Sequence, residues 1–373
     1  MHVAYKVLLF GPIALPGHPA RGGYESANRR TSDGLRKLGV HVQEIPQPAR
    51  VRIGGSVVAY TAGFVRLLRE ILKKRHTGGC LIVHVTSMYK RFLYFELLFC
   101  VLCRYVGARF VYDLRAGSAL KYYSQRTNIY RRAFDALIKR ADLVLVEGKE
   151  YLDFVRAVSN KEGLYFPNYV ELKNTKAIVR EEPTTQINLC YCGRVIREKG
   201  LIQAVETTAL IAAAGVRCEL HIIGTGTSDF LKELNDLAYM LDVNKLVSFH
   251  GLVAPDRVAE MLRQMHFFLF ITKHSGEGHS NALTEAMAAG VVPVCSANGF
   301  NRSVVMDGGI VLPLQSTAED YAREILRIYR NGSWSRLSDV CSSRVKQEFS
   351  ADIVLPRLAS WYSDLAEGRF DRS

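Results

Sequence analysis

The sequence predicts an α/β protein built from two doubly wound units, each with a parallel sheet covered by helices. Three observations lead to this fold class. Short apolar runs with strand character alternate with amphipathic helical segments along most of the chain. A polar stretch, Asn174–Gln186, separates two such series and is typical of a linker. The length of 373 residues suits two domains.

The first series begins with the apolar run Lys6–Phe10 and a glycine turn, Arg21–Tyr24. Helix Glu25–Leu38 is expected next, because Gly39 is a natural helix stop. The other predicted strands are Val40–Ile45, Leu81–Val85, Arg109–Asp113 and Leu143–Val146, and the other predicted helices are Tyr60–Arg75, Phe92–Val106 and Arg131–Arg140. This alternation predicts a parallel sheet with helices on both faces.

The second series repeats the pattern and ends in a helical tail from Ala318 onward. Its predicted strands are Ile187–Cys192, Cys218–Ile223, Leu246–Phe249, Phe267–Ile271 and Val291–Cys295, and its predicted helices are Leu201–Ala214, Asp229–Leu241, Pro255–Gln264 and Ala282–Ala289. We therefore expect an N-terminal domain over residues 1–173 and a second over 187–345. Doubly wound units bind ligands at the carboxyl ends of their strands, so two facing units would form a cleft.

Positive charge is concentrated in the first half of the chain. The formal net charge is +13, but residues 1–180 hold 30 Lys and Arg against 13 Asp and Glu. The remainder holds 19 basic and 23 acidic residues. A net charge of +17 beside −4 predicts an anionic surface or substrate for the first half alone.

The composition favours a cytoplasmic protein without a spanning helix. The apolar run Val7–Leu15 contains Gly and Pro and lacks a cleavage site, so a first strand explains it better than a signal peptide. No uncharged stretch reaches the roughly 18 residues that cross a bilayer. The longest candidate for such a stretch, Phe92–Cys103, has 12 residues and contains Glu96. A buried helix is the preferred interpretation, and a helix that dips into the membrane is the alternative. The eight cysteines lie mostly in apolar runs and are typical of buried residues in a reducing compartment, and no metal site is expected.

The segment Glu277–Gly290 carries the strongest chemical signal. Glu277 precedes a predicted helix that Ser280 or Asn281 can cap, and Glu285 lies about one turn inside it. The unpaired N–H groups and positive dipole end of such a helix favour an anion such as a phosphate. The two carboxylates could accept hydrogen bonds from sugar or ribose hydroxyls. A capped surface helix with solvated carboxylates is the alternative.

Two further loops follow predicted strands. In Gly193–Gly200, Arg194 and Lys199 could both neutralise a diphosphate, although solvated charges in a glycine-bounded loop are an alternative. In Gly224-Thr225-Gly226, the small residues allow a close approach of the backbone to a ligand. The third glycine of a dinucleotide fingerprint is missing there.

In this order and spacing, the three motifs resemble the donor-binding domain of retaining glycosyltransferases of the family 4 type. The resemblance covers most of the chain and implies the GT-B architecture of two facing Rossmann-like domains. Arg21–Glu25 is similar to the family's glycine-rich loop, and Phe166–Val170 to its segment before the linker. Such enzymes end in a helix that crosses back to the first domain. The tail, residues 346–373, is expected to supply it within Ala351–Glu367.

The resemblance implies a role for each motif. Arg194 and Lys199 are expected to hold the donor diphosphate, Glu285 the ribose, and Glu277 the hydroxyls of the transferred sugar. The other donor-binding positions implied are Gly193, Gly224, Gly226, Gly278, His279, Ser280 and Asn281. Catalysis is expected to rest on electrostatic stabilisation of the leaving nucleoside diphosphate. No Asp-x-Asp occurs, which is consistent with metal-independent transfer, and no cofactor besides the substrate nucleotide sugar is implied.

The first domain departs from the family pattern at one position. Many relatives carry a His after the strand that ends here in Tyr112-Asp113-Leu114-Arg115. Asp113, as a catalytic residue, or Arg115 is expected to orient the sugar or acceptor, the alternative being that Asp113 caps the following turn. The expected acceptor-binding positions are Gly22, Gly23, Arg115 and Lys121.

The basic half suits an anionic inner membrane leaflet or a pyrophosphate-linked lipid acceptor. Helix Tyr60–Arg75 and the stretch Lys121–Arg132 mix cations with apolar side chains. The sequence therefore predicts a retaining glycosyltransferase at the inner face of the membrane, acting on a lipid-linked or glycan acceptor in surface polysaccharide or glycolipid synthesis. A non-catalytic or epimerase-like sugar-nucleotide-binding protein is the alternative. No nucleic-acid module is visible, so nucleic acid is not an expected partner.

Overall fold

We describe the protein from a computed structural model. It describes residues 4–15, 17, 22–47, 56–73, 79–90, 92–115, 117–172, 182–183 and 185–370, with the backbone alone for 56–60. Most of the predicted linker Asn174–Gln186 lies outside these ranges, as does Arg21. None of the described helices is both long and apolar enough to cross a bilayer.

The chain divides into two compact units. Unit 1 comprises Met1–Asn168 and Ala351–Ser373, and unit 2 comprises Tyr169–Ser350. The chain passes from one unit to the other after residues 168 and 350. The limits expected from the sequence are residues 173 and 345. The last helix of the chain groups with unit 1.

Unit 1 contains a six-stranded parallel sheet in the order β2-β1-β3-β4-β5-β6. Its strands are β1 Tyr5–Pro12, β2 His41–Gln47, β3 Cys80–Thr86, β4 Arg109–Leu114, β5 Leu143–Val146 and β6 Leu164–Tyr165. Its helices are α1 Gly23–Lys37, α2 Ser56–Lys73, α3 Leu93–Tyr105, α4 Ala119–Ser124, α5 Asn128–Arg140, α6 Leu152–Ser159 and, at the end of the chain, α14 Ala351–Ala366. The inner strands are buried along almost their whole length, as expected for a sheet covered on both faces.

Unit 2 contains a second six-stranded parallel sheet in the order β12-β11-β10-β7-β8-β9. Its strands are β7 Ile187–Cys192, β8 Cys218–Ile223, β9 Val247–Gly251, β10 Phe267–Phe270, β11 Val292–Ser296 and β12 Ile310–Leu312. Its helices are α7 Leu201–Ala213, α8 Ser228–Met240, α9 Pro255–Leu262, α10 Asn281–Ala288, α11 Asn301–Val305, α12 Ala318–Arg330 and α13 Trp334–Glu348. Two Rossmann-like units confirm the predicted α/β fold class.

Several predictions about single elements need correction. Helix α1 begins at Gly23, so the predicted glycine turn is in part the helix start, with Gly22 as its N-cap. The predicted buried helix Phe92–Val106 is α3, and its outer face is exposed, with Tyr94, Leu98 and Tyr105 accessible. The elements missed are short ones, because two to eight residues give too little periodicity to recognise. They are β6, β12, α4, α6 and α11.

Candidate functional site

The predicted donor motifs meet at the centre of the unit 2 sheet. Strand β7 lies between β8 and β10 in the sheet. After β7 the chain adds β8 and β9 on one side of β7, and it then adds β10, β11 and β12 on the opposite side. Such a reversal of strand order opens a crevice at the carboxyl ends of the strands. The loop 193–200 follows β7, and the loop 271–280 follows β10.

Lys199 and Glu277 join these two loops. The ammonium of Lys199 donates to Oε2 of Glu277, and both side chains are largely buried, at 11% and 9% exposed. The hydroxyl of Thr272 donates to the same Oε2 over 2.9 Å. Among the described residues, no hydrogen bond reaches Oε1 of Glu277. One carboxylate oxygen is therefore fixed by the protein and the other remains an acceptor.

Arg194 differs from Lys199 in its surroundings. Its side chain is exposed, and within the described part of the chain its guanidinium forms no hydrogen bond or ion pair. Its backbone is fixed, because the hydroxyl of Tyr191 donates to the carbonyl of Arg194 over 2.8 Å. A cation held at the end of β7 without an acidic partner can neutralise an anion in solution.

The glycines of these loops are required by the protein's own backbone. Gly224 has φ +140°, and a Cβ there would lie 1.8 Å from the carbonyl oxygen of Gly193. A Cβ on Gly226 would lie 2.3 Å from the carbonyl oxygen of Val195. The two loops are connected by the Val195 N–H, which donates to the Thr225 carbonyl over 2.8 Å. The sequence interpretation had assigned this close approach to a ligand, and here it is between two loops.

Helix α10 begins where the motif predicts. Ser280 is its N-cap, with a side-chain oxygen that accepts from the Leu283 N–H over 3.4 Å. Glu277 precedes the helix, Asn281 is its first residue, and Glu285 lies half-buried inside it. Glu285 is close enough to Cys192, at the end of β7, to contribute with burial to raising the pKa of that thiol to about 12.

The turn between β10 and α10 contains two histidines in different environments. His279 is buried, with Nε2 2.8 Å from the Thr284 hydroxyl and its ring edge-on to Phe349. His274 is half-buried, and its carbonyl accepts from the Asn298 amide over 2.9 Å. Burial, and then the neighbouring charge of Lys199, lower the pKa of His274. Gly278, between them, is half-buried. His279 is therefore part of the loop's framework, and His274 is the more accessible side chain.

Unit 1 contains a separate buried cluster around Asp113. Oδ2 of Asp113 accepts from Nε of Arg115 over 2.5 Å and lies 3.2 Å from Nε2 of His84. All three side chains are almost fully buried. Burial alone would raise the pKa of Asp113, but Arg115 and His84 lower it below its usual value. The side chain of Asp113 thus pairs with Arg115 and His84, and among the described residues its Oδ1 has no hydrogen-bond partner.

The cluster continues to the ends of β5 and β6. Nη1 of Arg115 donates to Oδ1 of Asn168 over 2.7 Å, and Nδ2 of Asn168 donates to Oε1 of Glu147 over 3.0 Å. Burial, followed by the nearby charge of Glu147, raises the pKa of Tyr24 at the start of α1. These groups belong to loops at one end of the sheet, where doubly wound units bind ligands.

The other predicted acceptor positions lie at the surface of unit 1. Gly22 and Gly23 are exposed at the start of α1, and Lys121 is exposed on α4. Tyr24 belongs to the predicted glycine-rich loop without an assigned role, whereas sequence reasoning missed four residues of the two clusters, namely Thr272, Asn298, His84 and Glu147. Only the ends of the predicted strands could have indicated them. No group of three or more His, Cys, Asp or Glu suited to a metal ion occurs among the residues that the structure describes.

Comparisons with known proteins agree with this architecture. Residues 173–347 match the family described as "Glycosyl transferases group 1". The chain is 20% identical over 218 residues to the "Capsular polysaccharide biosynthesis glycosyltransferase CapM" of Staphylococcus aureus. This match covers 58% of the chain and 56% of the relative, so it spans little more than half the length of that protein.

Two solved structures share the fold over almost the whole chain. A sucrose-phosphate synthase of Thermosynechococcus elongatus has a TM-score of 0.72 and 18% identity, covering 97% of this chain and all of its own. Anabaena Alr3699/HepE in complex with UDP has a TM-score of 0.69 and 13% identity, covering 96% of this chain and all of its own. At these identities the likeness shows the fold alone.

Proposed function

We propose that the chain transfers a sugar from a nucleotide-diphosphate sugar to an acceptor, because residues 173–347 match the group 1 glycosyltransferase family. The observation that carries the proposal is the exposed cation Arg194 in the loop that follows β7, the same loop whose Lys199 pairs with Glu277 of the neighbouring loop. An exposed cation at a topological switch point suits a diphosphate.

The donor's two halves are assigned to different groups. Arg194 contacts the diphosphate and stabilises the negative charge that develops as the nucleotide leaves. Lys199 and Thr272 hold Oε2 of Glu277, so that Oε1 accepts a hydrogen bond from the transferred sugar. Glu285 on α10 accepts from the ribose. Structures titled as complexes with UDP and UDP-glucose exist for the related fold of Alr3699/HepE, which makes uridine donors the first to test.

The reaction is proposed to be retaining and metal-independent. Support for retention comes from the family resemblance of the three motifs. Support for metal independence comes from the exposed guanidinium of Arg194 and from a sequence without Asp-x-Asp. Arg194 supplies positive charge at the leaving diphosphate, where a divalent ion acts in other enzymes, while the charge of Lys199 is used to hold Glu277.

The acceptor is proposed to be a lipid-linked or glycan acceptor used in surface polysaccharide or glycolipid synthesis. The capsular polysaccharide relative and the +17 charge of the first half support this assignment. In unit 1, the buried carboxylate of Asp113 is proposed to orient the sugar or acceptor, with Arg115 and His84 positioning it.

A transfer assay tests the function. The full chain is incubated with UDP-, GDP- and ADP-sugars and with undecaprenyl-pyrophosphate-linked sugar in the presence of EDTA, and the product's anomeric configuration is read by NMR. The proposal expects a product with the donor's configuration at undiminished rate in EDTA. Transfer with inversion, or loss of activity in EDTA that Mg²⁺ restores, would contradict the mechanism. Donor binding without transfer or hydrolysis would favour a non-catalytic sugar-nucleotide-binding protein.

A further inference from the structure

One helix of unit 1 presents a row of apolar side chains outward. On α3 we define the α3 stripe as Tyr94, Phe95, Leu98, Val101 and Tyr105. These residues are between 45% and 72% exposed. Tyr94, Leu98, Val101 and Tyr105 follow one another at intervals of four, three and four residues, which places them along one side of the helix, and Phe95 lies beside this row. A contiguous apolar row of this size on a surface is typical of an interaction site.

The stripe is held rigidly rather than being a loose segment. The opposite side of α3 is buried, with Leu93, Phe99 and Cys103 less than 4% exposed. Phe95 stacks on Phe64 of α2, with ring centroids 4.8 Å apart. The helix is therefore fixed by its inner side, and its outer apolar side is presented by the fold itself.

The helices that neighbour the stripe carry exposed cations. Helices α2 and α5 both pack against α3, and α4 packs against α5. The exposed basic residues on these four helices are Arg66, Arg69, Lys73, Arg104, Lys121, Arg132, Lys139 and Arg140. The acidic residues there are engaged or buried: Glu70 binds Lys73, Asp135 accepts from Tyr123, and Glu96 is 2% exposed. Over residues 61–73, 93–105 and 119–140, the exposed charge is therefore positive.

We propose that the α3 stripe inserts into the headgroup region of an anionic phospholipid bilayer, with the flanking cations on lipid phosphates. The surface combines an apolar row, Tyr side chains at its ends and cations beside it, which is the pattern of helices that lie in a membrane interface. The exposed row runs from Tyr94 to Tyr105, almost the full length of a helix of about 20 Å, so α3 can lie flat in the plane of the membrane interface. The anionic bilayer is thereby the proposed partner of the basic first half of the chain. This inference rests on the proposed function, because membrane binding would give the enzyme access to a lipid-linked acceptor.

The apolar contacts of the stripe and the cation–phosphate contacts are expected to respond differently to salt concentration. Apolar insertion responds little to salt, whereas cation–phosphate attraction is screened over about 8 Å at physiological ionic strength. We therefore expect binding to anionic vesicles to fall with salt to a residual level that depends on the α3 stripe. A purely electrostatic surface would lose binding completely.

Vesicle flotation of the full chain tests the proposal. The vesicles are phosphatidylcholine alone or with 30% phosphatidylglycerol, and the variants are Leu98→Gln/Val101→Gln and Arg66→Gln/Arg69→Gln. Matched controls are Met240→Gln/Leu252→Gln in unit 2, where both side chains are more than 75% exposed, and Arg330→Gln. We expect wild type to bind anionic vesicles at least tenfold better than neutral ones. Each stripe or cation variant should lose about tenfold, and the controls should lose less than twofold.

A second measurement locates the insertion. Leu98→Trp should be quenched by brominated lipid in anionic vesicles, and Leu252→Trp should not. Unchanged vesicle binding in the Leu98→Gln/Val101→Gln variant, or equal quenching at both positions, would overturn the proposal. So would an absence of vesicle binding together with a stripe-dependent dimer in gel filtration.

These results are separable from the fate of the proposed function. Nucleotide binding is followed on the same variants with UDP, GDP and ADP. The docking proposal expects nucleotide affinity in the stripe variants to equal wild type. If no nucleotide binds to any variant but the vesicle results hold, the enzyme assignment fails and the docking surface stands.

Discussion

Lys199 and Glu277 form an ion pair between two loops that are 78 residues apart in sequence. The sequence interpretation gave them separate tasks, one at the diphosphate and the other at the sugar. Their contact makes the two tasks one structural unit, in which the cation fixes an oxygen of the carboxylate.

Removing one partner of this pair is expected to destabilise the protein. The side chain of Glu277 is only 9% exposed, and Lys199→Ala removes the cation that neutralises its carboxylate. Loss of one partner from a buried pair costs about 3 kcal/mol, measurable as the free energy of unfolding in urea. Lys199→Met/Glu277→Gln should recover most of this, since no unpaired charge remains. A single variant as stable as wild type would contradict the burial of the pair.

The hydroxyl of Thr272 is expected to matter for catalysis. Thr272→Val keeps the side chain's shape but removes the donor to Oε2 of Glu277, a hydrogen bond to a charged group that contributes roughly 1.5–3 kcal/mol. We expect kcat/KM to fall at least tenfold. Thr272→Ser retains the hydroxyl and should stay within about threefold of wild type. Equal rates in the Val and Ser variants would show that this contact does not position Glu277.

Glu96, on the buried side of α3, predicts a pH dependence of stability. Burial raises its pKa from 4.5 to about 7. Because the folded state holds the proton more tightly, the stabilisation is complete below pH 4.5 and is lost as pH rises to 7, at about 1.4 kcal/mol per unit. Glu96→Gln should remove this slope. The difference in unfolding free energy between variant and wild type, measured from pH 4.5 to 8, checks it, and a difference independent of pH would contradict it.

Gly224 is expected to tolerate no side chain. A Cβ there would overlap the carbonyl of Gly193, so Gly224→Ala should separate the two loops, lowering the melting temperature and weakening nucleotide binding. Gly215→Ala is the matched control, because its φ is also positive, +77°, while no atom lies within 4 Å of its Cβ. The control should cost about 1 kcal/mol. Similar losses in both variants would mean that backbone strain alone explains the effect.

The sequence predicts best the elements that are buried on both faces. Strands Leu143–Val146, Ile187–Cys192 and Cys218–Ile223 have the predicted limits. The first is an uninterrupted apolar run, and the other two are mostly apolar, with polar residues only at half-buried positions. The start of α10 was also predictable, since a cap residue is a local signal. Family motifs indicated which loops meet in unit 2.

Long-range contacts were not predictable from one sequence. His84 lies between Asp113 and Tyr362, which are 29 and 278 residues away, and no local pattern connects them. For α3 the sequence favours a buried helix over a membrane-dipping one, because apolar residues occur on both sides of the helix. Only packing against the sheet decides which side is covered. The sequence predicts that Gly224 and Gly226 allow a close approach to the backbone, but in the structure the group that comes close is the backbone of the loop after β7 and not a ligand.

We propose that the switch point of unit 2 binds a nucleoside diphosphate through Arg194. Calorimetric titration of UDP, GDP and ADP into the full chain in EDTA tests it most directly, with Arg194→Ala compared with Arg197→Ala. Arg197 is a fair control, because it lies three residues away and binds Glu233. We expect one nucleotide to bind and Arg194→Ala to weaken its binding at least tenfold by losing a charge-assisted contact of roughly 1.5–3 kcal/mol, with Arg197→Ala within twofold of wild type. Binding of none of the three, or equal affinities in both variants, would contradict it.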